Sequence, residues 1–169
     1  MERIDVYDRY GHFTGKVIDK DEELAPDEYY AHCHVVLCHS SGRFLLQRRS
    51  MTKKHSPGVW DITGGGVNAG ESWKQACMRE TKEELGLEIP EEKMRLGWKK
   101  TGTDAGNYHL EVWGARFDFD MNDIVPDLSE VDGAKLVPAA EYVEAVCWNK
   151  DDAYRAELVR FCAELGGLR

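Results

Sequence analysis

Hydrophobic and polar positions change rhythm several times along this chain. IDVYDRYGHFTGKVI (residues 4–18) alternates in part and breaks at Gly11, which predicts a hairpin within about residues 1–30. DKDEELAPDEYY (19–30) is a polar connection. HCHVVLCHSSGRFLLQRRS (32–50) carries two apolar runs around a Ser-Ser-Gly turn and predicts two strands. MTKKHSPGVWDITGGGVNAGE (51–71) reads as loop, with a short strand near Trp60–Thr63. The rhythm then shifts to helical spacing. In SWKQACMRETKEELGL, Trp73, Ala76, Cys77, Thr81 and Leu85 recur at three and four, Ser72 is placed as N-cap, and Gly86 stands where a C′ glycine belongs. GWKKTGT, NYHLEVWGARFDFD and GAKLVP predict further strands. AAEYVEAV predicts a helix, and DDAYRAELVRFCAEL an amphipathic C-terminal helix over about 151–165. Strands, helix, strands, helices suggest an α/β domain with one mixed sheet covered by helices.

The first helix poses an electrostatic problem. Glu80, Glu83 and Glu84 fall within five positions, and like charges at i,i+4 destabilise an isolated helix by roughly 0.2–0.5 kcal/mol per pair. At about 100° per residue, Glu84 lies about 40° from Glu80 and Glu83 about 60° to its other side. The three are expected on one stripe opposite the apolar one. Arg79, four before Glu83, can partner one of them. Just upstream, TGGGVNAGE runs three glycines toward the helix start, an expected tight turn that permits positive φ and close backbone approach. No Lys-Ser/Thr follows, so this is not a phosphate-cradling P-loop. Clustered carboxylates beside such glycines suit a hard cation. Mg²⁺ prefers carboxylate oxygens, keeps several waters and bridges substrate phosphates.

Composition narrows the classes. The 169 residues suit one domain, 1–169, and 42% hydrophobic with 31% charged residues is globular composition. The net charge of −9 argues against nucleic acid as the main partner while leaving room for a small phosphorylated ligand. No apolar run reaches membrane-helix length and no signal pattern opens the chain, so the expectation is a cytoplasmic protein without a membrane partner. Cys33, Cys38, Cys77, Cys147 and Cys162 show no CxxC pairing and are expected as buried free thiols.

The spacing also matches a family. Gly65, five residues, Glu71, seven residues, then Arg79-Glu80-Thr81-Lys82-Glu83-Glu84-Leu85-Gly86-Leu87 resembles the Nudix box, GX5EX7REUXEEXGU, over residues 65–87. Thr81 is the one departure, since an aliphatic residue is usual there. The resemblance implies an α/β/α sandwich and hydrolysis of a nucleoside diphosphate linked to another group, with Mg²⁺ or Mn²⁺ as cofactor. It implies Glu80 and Glu84 as metal ligands, Glu83 as a further one, and a backbone carbonyl at Gly64. It also implies support from Glu71 and orientation of the carboxylates by Arg79. Many relatives dimerise, so a homodimer is a possibility.

LLQRRSMTKKHSPGVWDITGGG is similar to the corresponding part of isopentenyl-diphosphate isomerases of the same superfamily, and of hydrolases related to them. Isomerases need a cysteine shortly after the strand tryptophan. Here that position is Gly65, and Val67 replaces the histidine that usually follows the cysteine. The alternatives to a hydrolase, an isomerase or a binding module without catalysis, are both disfavoured: the box keeps all its glutamates. Arg49 and Lys53, in the basic run QRRSMTKK, align with diphosphate-contacting positions. Arg48 and Arg49 alternate, so one of the two is expected to face the site. General-base candidates are Glu83 and Glu84 in the box, Glu111 on the strand HLEVWG beside His109, and Glu130 in DLSEVDG. His32 and His34 read as ordinary strand histidines, because no partner ligands are visible. Trp60, Trp98, Trp113 and Trp148 are expected in the core. Tyr108, after the turn Asp104-Ala105-Gly106-Asn107, is the candidate for stacking on a base.

Overall fold

The computed structural model describes residues 2–103 and 106–167. Part of the turn placed before Tyr108, Asp104 and Ala105, lies outside the described residues.

The N-terminal hairpin forms from β1 (Arg3–Tyr7) and β2 (Phe13–Asp19), a two-stranded antiparallel sheet of its own. It is tied to the body by backbone bonds. Tyr7 and Tyr29 exchange N–H···O bonds of 2.8 and 2.9 Å, and the Ala69 N–H donates to the Arg3 carbonyl at 2.7 Å. The main sheet takes β3 (Tyr30–His39), β4 (Phe44–Arg49), β5 (Trp60–Asp61), β6 (Thr63–Gly66), β7 (Arg95–Gly102), β8 (Tyr108–Phe117) and β9 (Val131–Val137). Its order is β5-β4-β3-β8-β7, with β6 on β3 and β9 on β4. The β3–β8 pair is parallel over ten residues and its other ladders are antiparallel, so the sheet is mixed.

Helix α1 (Trp73–Leu85) covers one face; α2 (Ala139–Val146) and α3 (Asp152–Gly166) cover the other. Because both faces are covered, β3 is apolar at consecutive positions: Val35 and Leu37 pack toward α1, Val36 and Cys38 toward α2 and α3. This is the α/β sandwich expected. Helix α1 starts and stops where its chemistry says. The Ser72 hydroxyl accepts the Gln75 N–H, Gln75 reaches back to the Ser72 N–H, and Gly86 takes a left-handed φ of 70° that closes the last turn.

Two expectations change here. Gly64, Gly65 and Gly66 form no positive-φ turn; they are extended strand β6, paired with β3 from His32 to Val35. Their use is close approach, because a Cβ on Gly65 would lie 2.3 Å from the Glu80 carboxyl carbon, and one on Gly64 2.3 Å from the Cys33 carbonyl oxygen. Trp148 is not core. It sits in a single 3₁₀ turn after α2 and is 52% exposed, whereas Trp60, Trp98 and Trp113 pack against the two cores. All five cysteines are buried and none is in a disulfide. Among the described residues, no helix is long and apolar enough to cross a membrane.

Candidate active site

The carboxylates of α1 do not share a solvent stripe. Glu84 is seven residues past Cys77, about 20° from it on the helical wheel, so it belongs to the face turned to the sheet. It is buried beside Ala76, Cys77 and Leu85, and Glu80 is nearly so. Only Glu83 stays outside, its side chain 55% exposed.

Glu84 meets β4 and β6. Gln47 Nε2 donates to its Oε2 at 2.9 Å, and Gln47 Oε1 accepts from the Thr63 hydroxyl at 3.0 Å. The Gly64 N–H also donates to Glu84, so Gly64 reaches the cluster through its amide. These bonds oppose but do not cancel desolvation. Burial, with the charges of Glu80 and Glu130 added, pushes the Glu84 carboxyl up to about 8. Burial also raises Glu80, against the pull of Arg79.

Arg79 holds the cluster together. Its Nη1 donates to Glu80 at 2.7 Å and Glu83 at 3.0 Å, its Nε to Glu71 at 3.0 Å, and its Nη2 to the Gly66 carbonyl at 2.8 Å. One guanidinium therefore fixes the box glutamates to β6. Glu71 in turn accepts the Asn68 N–H at 3.0 Å, bracing the loop into the helix.

A second group of charges borders Glu84. The Asp127 N–H donates to the Glu84 carbonyl at 3.2 Å, which brings the 127–130 loop to the end of α1. That loop carries Glu130, ion-paired with Lys53 at 2.5 Å. The Ser50 N–H donates to the Glu130 carbonyl at 2.9 Å, so the basic loop and the acidic loop are docked together. Arg48 turns away to Asp132 at 2.6 Å and lies over Trp60; the Arg49 guanidinium bonds only the His55 carbonyl, at 3.2 Å, among the described residues.

Other candidates lie elsewhere. Glu111 is opposite Cys33, which is opposite Gly65, so two strand spacings, about 10 Å, separate its backbone from β6. Its oxygens are taken by Lys99 at 2.6 Å and the Trp113 indole N–H at 2.8 Å. His109, on the same face, donates to the Asp8 carbonyl at 2.7 Å and secures the hairpin. Tyr108 is half-buried on the α3 side and lines a small cleft with His32, His34 and Lys150. His34 bonds the Tyr154 hydroxyl at 2.8 Å, a satisfied strand histidine. Among the described residues, no three His, Cys, Asp or Glu side chains converge as a metal cage.

Two residues went unnoticed at the sequence level. Gln47 is a buried amide inside an otherwise apolar run, FLLQ, and that mismatch was the available signal. Lys20 has no such signal: it arrives from the hairpin, and its methylene reaches within 3.8 Å of where a Gly66 Cβ would be.

The donor set fits Mg²⁺ or Mn²⁺. Glu80 and Glu84 are one helical turn apart, largely withdrawn from water and raised, so each gains from a cation, and Mg²⁺ needs only one or two carboxylates with waters and phosphate oxygens.

Comparison with known proteins agrees with this architecture. The NUDIX domain model matches residues 29–158, and the chain belongs to the Nudix hydrolase family, enzymes acting on phosphoanhydride bonds. An uncharacterized Nudix hydrolase of Listeria monocytogenes is 32% identical over 148 residues, covering 83% of this chain and 82% of that protein. An isopentenyl-diphosphate Delta-isomerase of Streptomyces avermitilis is 32% identical over 138 residues, covering 78% and 70%. The crystal structure of DR0079 from Deinococcus radiodurans shares the fold, with a TM-score of 0.73, 23% identity, and coverage of 95% and 99%.

Proposed function

We propose that the protein is a Mg²⁺- or Mn²⁺-dependent pyrophosphohydrolase that cleaves a nucleoside-diphosphate-linked substrate by attack of water at phosphorus. The observation that carries this reading is the pair Glu80 and Glu84, largely withdrawn from water and held beneath the glycine strand. Glu80, Glu84 and the Gly64 carbonyl would hold the metal, with Glu83 able to join by leaving Arg79. When bound, the metal neutralises phosphate charge and acidifies a coordinated water.

The chain's own residues do the rest. Arg79 and Glu71 hold the carboxylates against β6, and Gln47 orients Glu84. Lys53 and Arg49 bind the diphosphate. In the free protein Lys53 is paired with Glu130; a phosphate would take over Lys53 and release Glu130 as base. Glu130 is preferred to Glu111 for that role because its charge is felt at Glu84. Gly65 speaks against isomerase chemistry. The nearest thiols, Cys33 and Cys77, are fully buried, and burial pushes Cys77 far up.

The test is a panel of nucleoside diphosphate esters, with isopentenyl diphosphate included, assayed with Mg²⁺, with Mn²⁺ and with chelator. Metal-dependent release of a mononucleotide from at least one ester is expected. Isomerisation of isopentenyl diphosphate, or turnover indifferent to chelator, would overturn the reading.

A further inference from the structure

Two clefts meet behind the glycine strand. The larger, about 810 Å³, opens beside Gly66 and is walled by Lys20, Leu24, Pro26, Tyr30 and His32. That is the size of a site for a nucleoside. The smaller, about 180 Å³, shares Tyr30 and His32 with it and is closed by Tyr108, Lys150 and Tyr154. Lys20 lines the larger cleft beside Gly66, its Cε 3.8 Å from where a Gly66 Cβ would lie, next to the strand that backs Glu80.

The smaller cleft has a specific electrostatic character. Lys150 makes no ion pair among the described residues, although the chain carries a net charge of −9. Its Nζ donates to the Asn149 side-chain oxygen at 2.6 Å and stands 5.9 Å over the Tyr154 ring. Neighbouring Lys100 is already matched by Asp151. Half-buried Asp61 feels Lys150 but lies beyond ion-pair distance, and its carboxylate accepts the Ile62 N–H at 2.8 Å. The remaining walls are uncharged: aromatic rings and Leu110. Burial, with Lys150 contributing, drives His32 down to about 4 and lowers His34 well below its usual range. An unmatched ammonium among aromatic walls awaits an anion, and 180 Å³ is too small for a nucleoside.

We infer that the substrate's organic arm runs through the larger cleft and carries a second phosphate, remote from the diphosphate, which Lys150 binds in the smaller one. This rests on the pyrophosphohydrolase reading, and its test is made without turnover. Adenosine 3′,5′-bisphosphate, its 2′,5′-isomer and adenosine 5′-monophosphate are titrated by calorimetry into metal-free wild type, Lys150→Met and Lys150→Arg, each checked for an unchanged Tm. At least one bisphosphate is expected to bind wild type and Lys150→Arg tenfold or more tightly than the monophosphate, with that ratio falling to about one in Lys150→Met. Equal affinities in wild type, no binding of any of the three, or a ratio untouched by Lys150→Met would overturn the inference. A ratio that behaves as expected, in a protein that hydrolyses nothing in the ester panel, would uphold the anion site and remove the hydrolytic reading alone.

Discussion

Glu84 and Glu111 lie on the same side of the sheet and are almost equally withdrawn from water, 6% and 8% exposed. Their surroundings differ. Glu111 has the Lys99 ammonium and an indole N–H on its two oxygens. Glu84 has an amide, a backbone N–H and two carboxylates nearby, and no ion-paired cation among the described residues. Burial is therefore a poor sign of function by itself; a buried charge left without its counter-charge is a better one.

The sharpest way to break this contrast is to neutralise each carboxylate in turn. Glu84→Gln should lower kcat/KM on the order of 10³-fold, the several kcal/mol expected when a metal loses a ligand at the reacting centre. Glu111→Gln should cost less than about tenfold. It leaves the exposed Lys99 ammonium to water, and the amide oxygen can still accept the Trp113 indole N–H. If Glu111→Gln were the more damaging of the two in steady-state assays, the site would have to be redrawn around β8.

A smaller effect, on the order of 10²-fold, is expected from Gly65→Ala. The backbone there accepts alanine, but the new methyl occupies the space of the Glu80 carboxyl. A Mg²⁺ titration should show weakened metal dependence with little change in Tm; unchanged metal dependence would mean that Glu80 does not need its present position.

The gentlest probe is pH. The folded Glu84 carboxyl sits near 8 against an ordinary value of 4.5, so between those values the folded state holds a proton that the unfolded state has lost. Stability of the metal-free protein should therefore fall as pH rises from about 4.5 to 8, by a few kcal/mol at most. Glu84→Gln should flatten that part of the profile in denaturant melts. A wild-type profile already flat there would show that Glu84 is compensated after all.

Much of this was legible in the sequence where local chemistry decides. Ser72, Gln75 and Gly86 bound α1, and the box spacing gave the family and the cluster. The inward turn of Glu84 was also available, in its seven-residue distance from Cys77, but a carboxylate among apolar residues reads most easily as exposed. What could not be read depends on partners far along the chain. Three glycines have no side-chain rhythm, so β6 exists only because β3 pairs with it. Trp148 looks apolar enough for the core, yet a short turn after α2 leaves it outside. Glu111 and Glu130 stand equal in the sequence as general-base candidates, and only the sheet register and the docked loops show how differently they are placed.

The hairpin carries one more consequence. The family match begins at residue 29, yet Ile4, Lys20, Leu24 and Pro26, all earlier in the chain, wall the larger cleft. The box that would break the bond and the segment that would shape what enters are separate stretches of polypeptide, joined by backbone bonds, by His109 and by the packing of Tyr7 on Trp73. Such a chain can exchange its clientele by rewriting its first thirty residues while its reaction machinery is inherited unchanged.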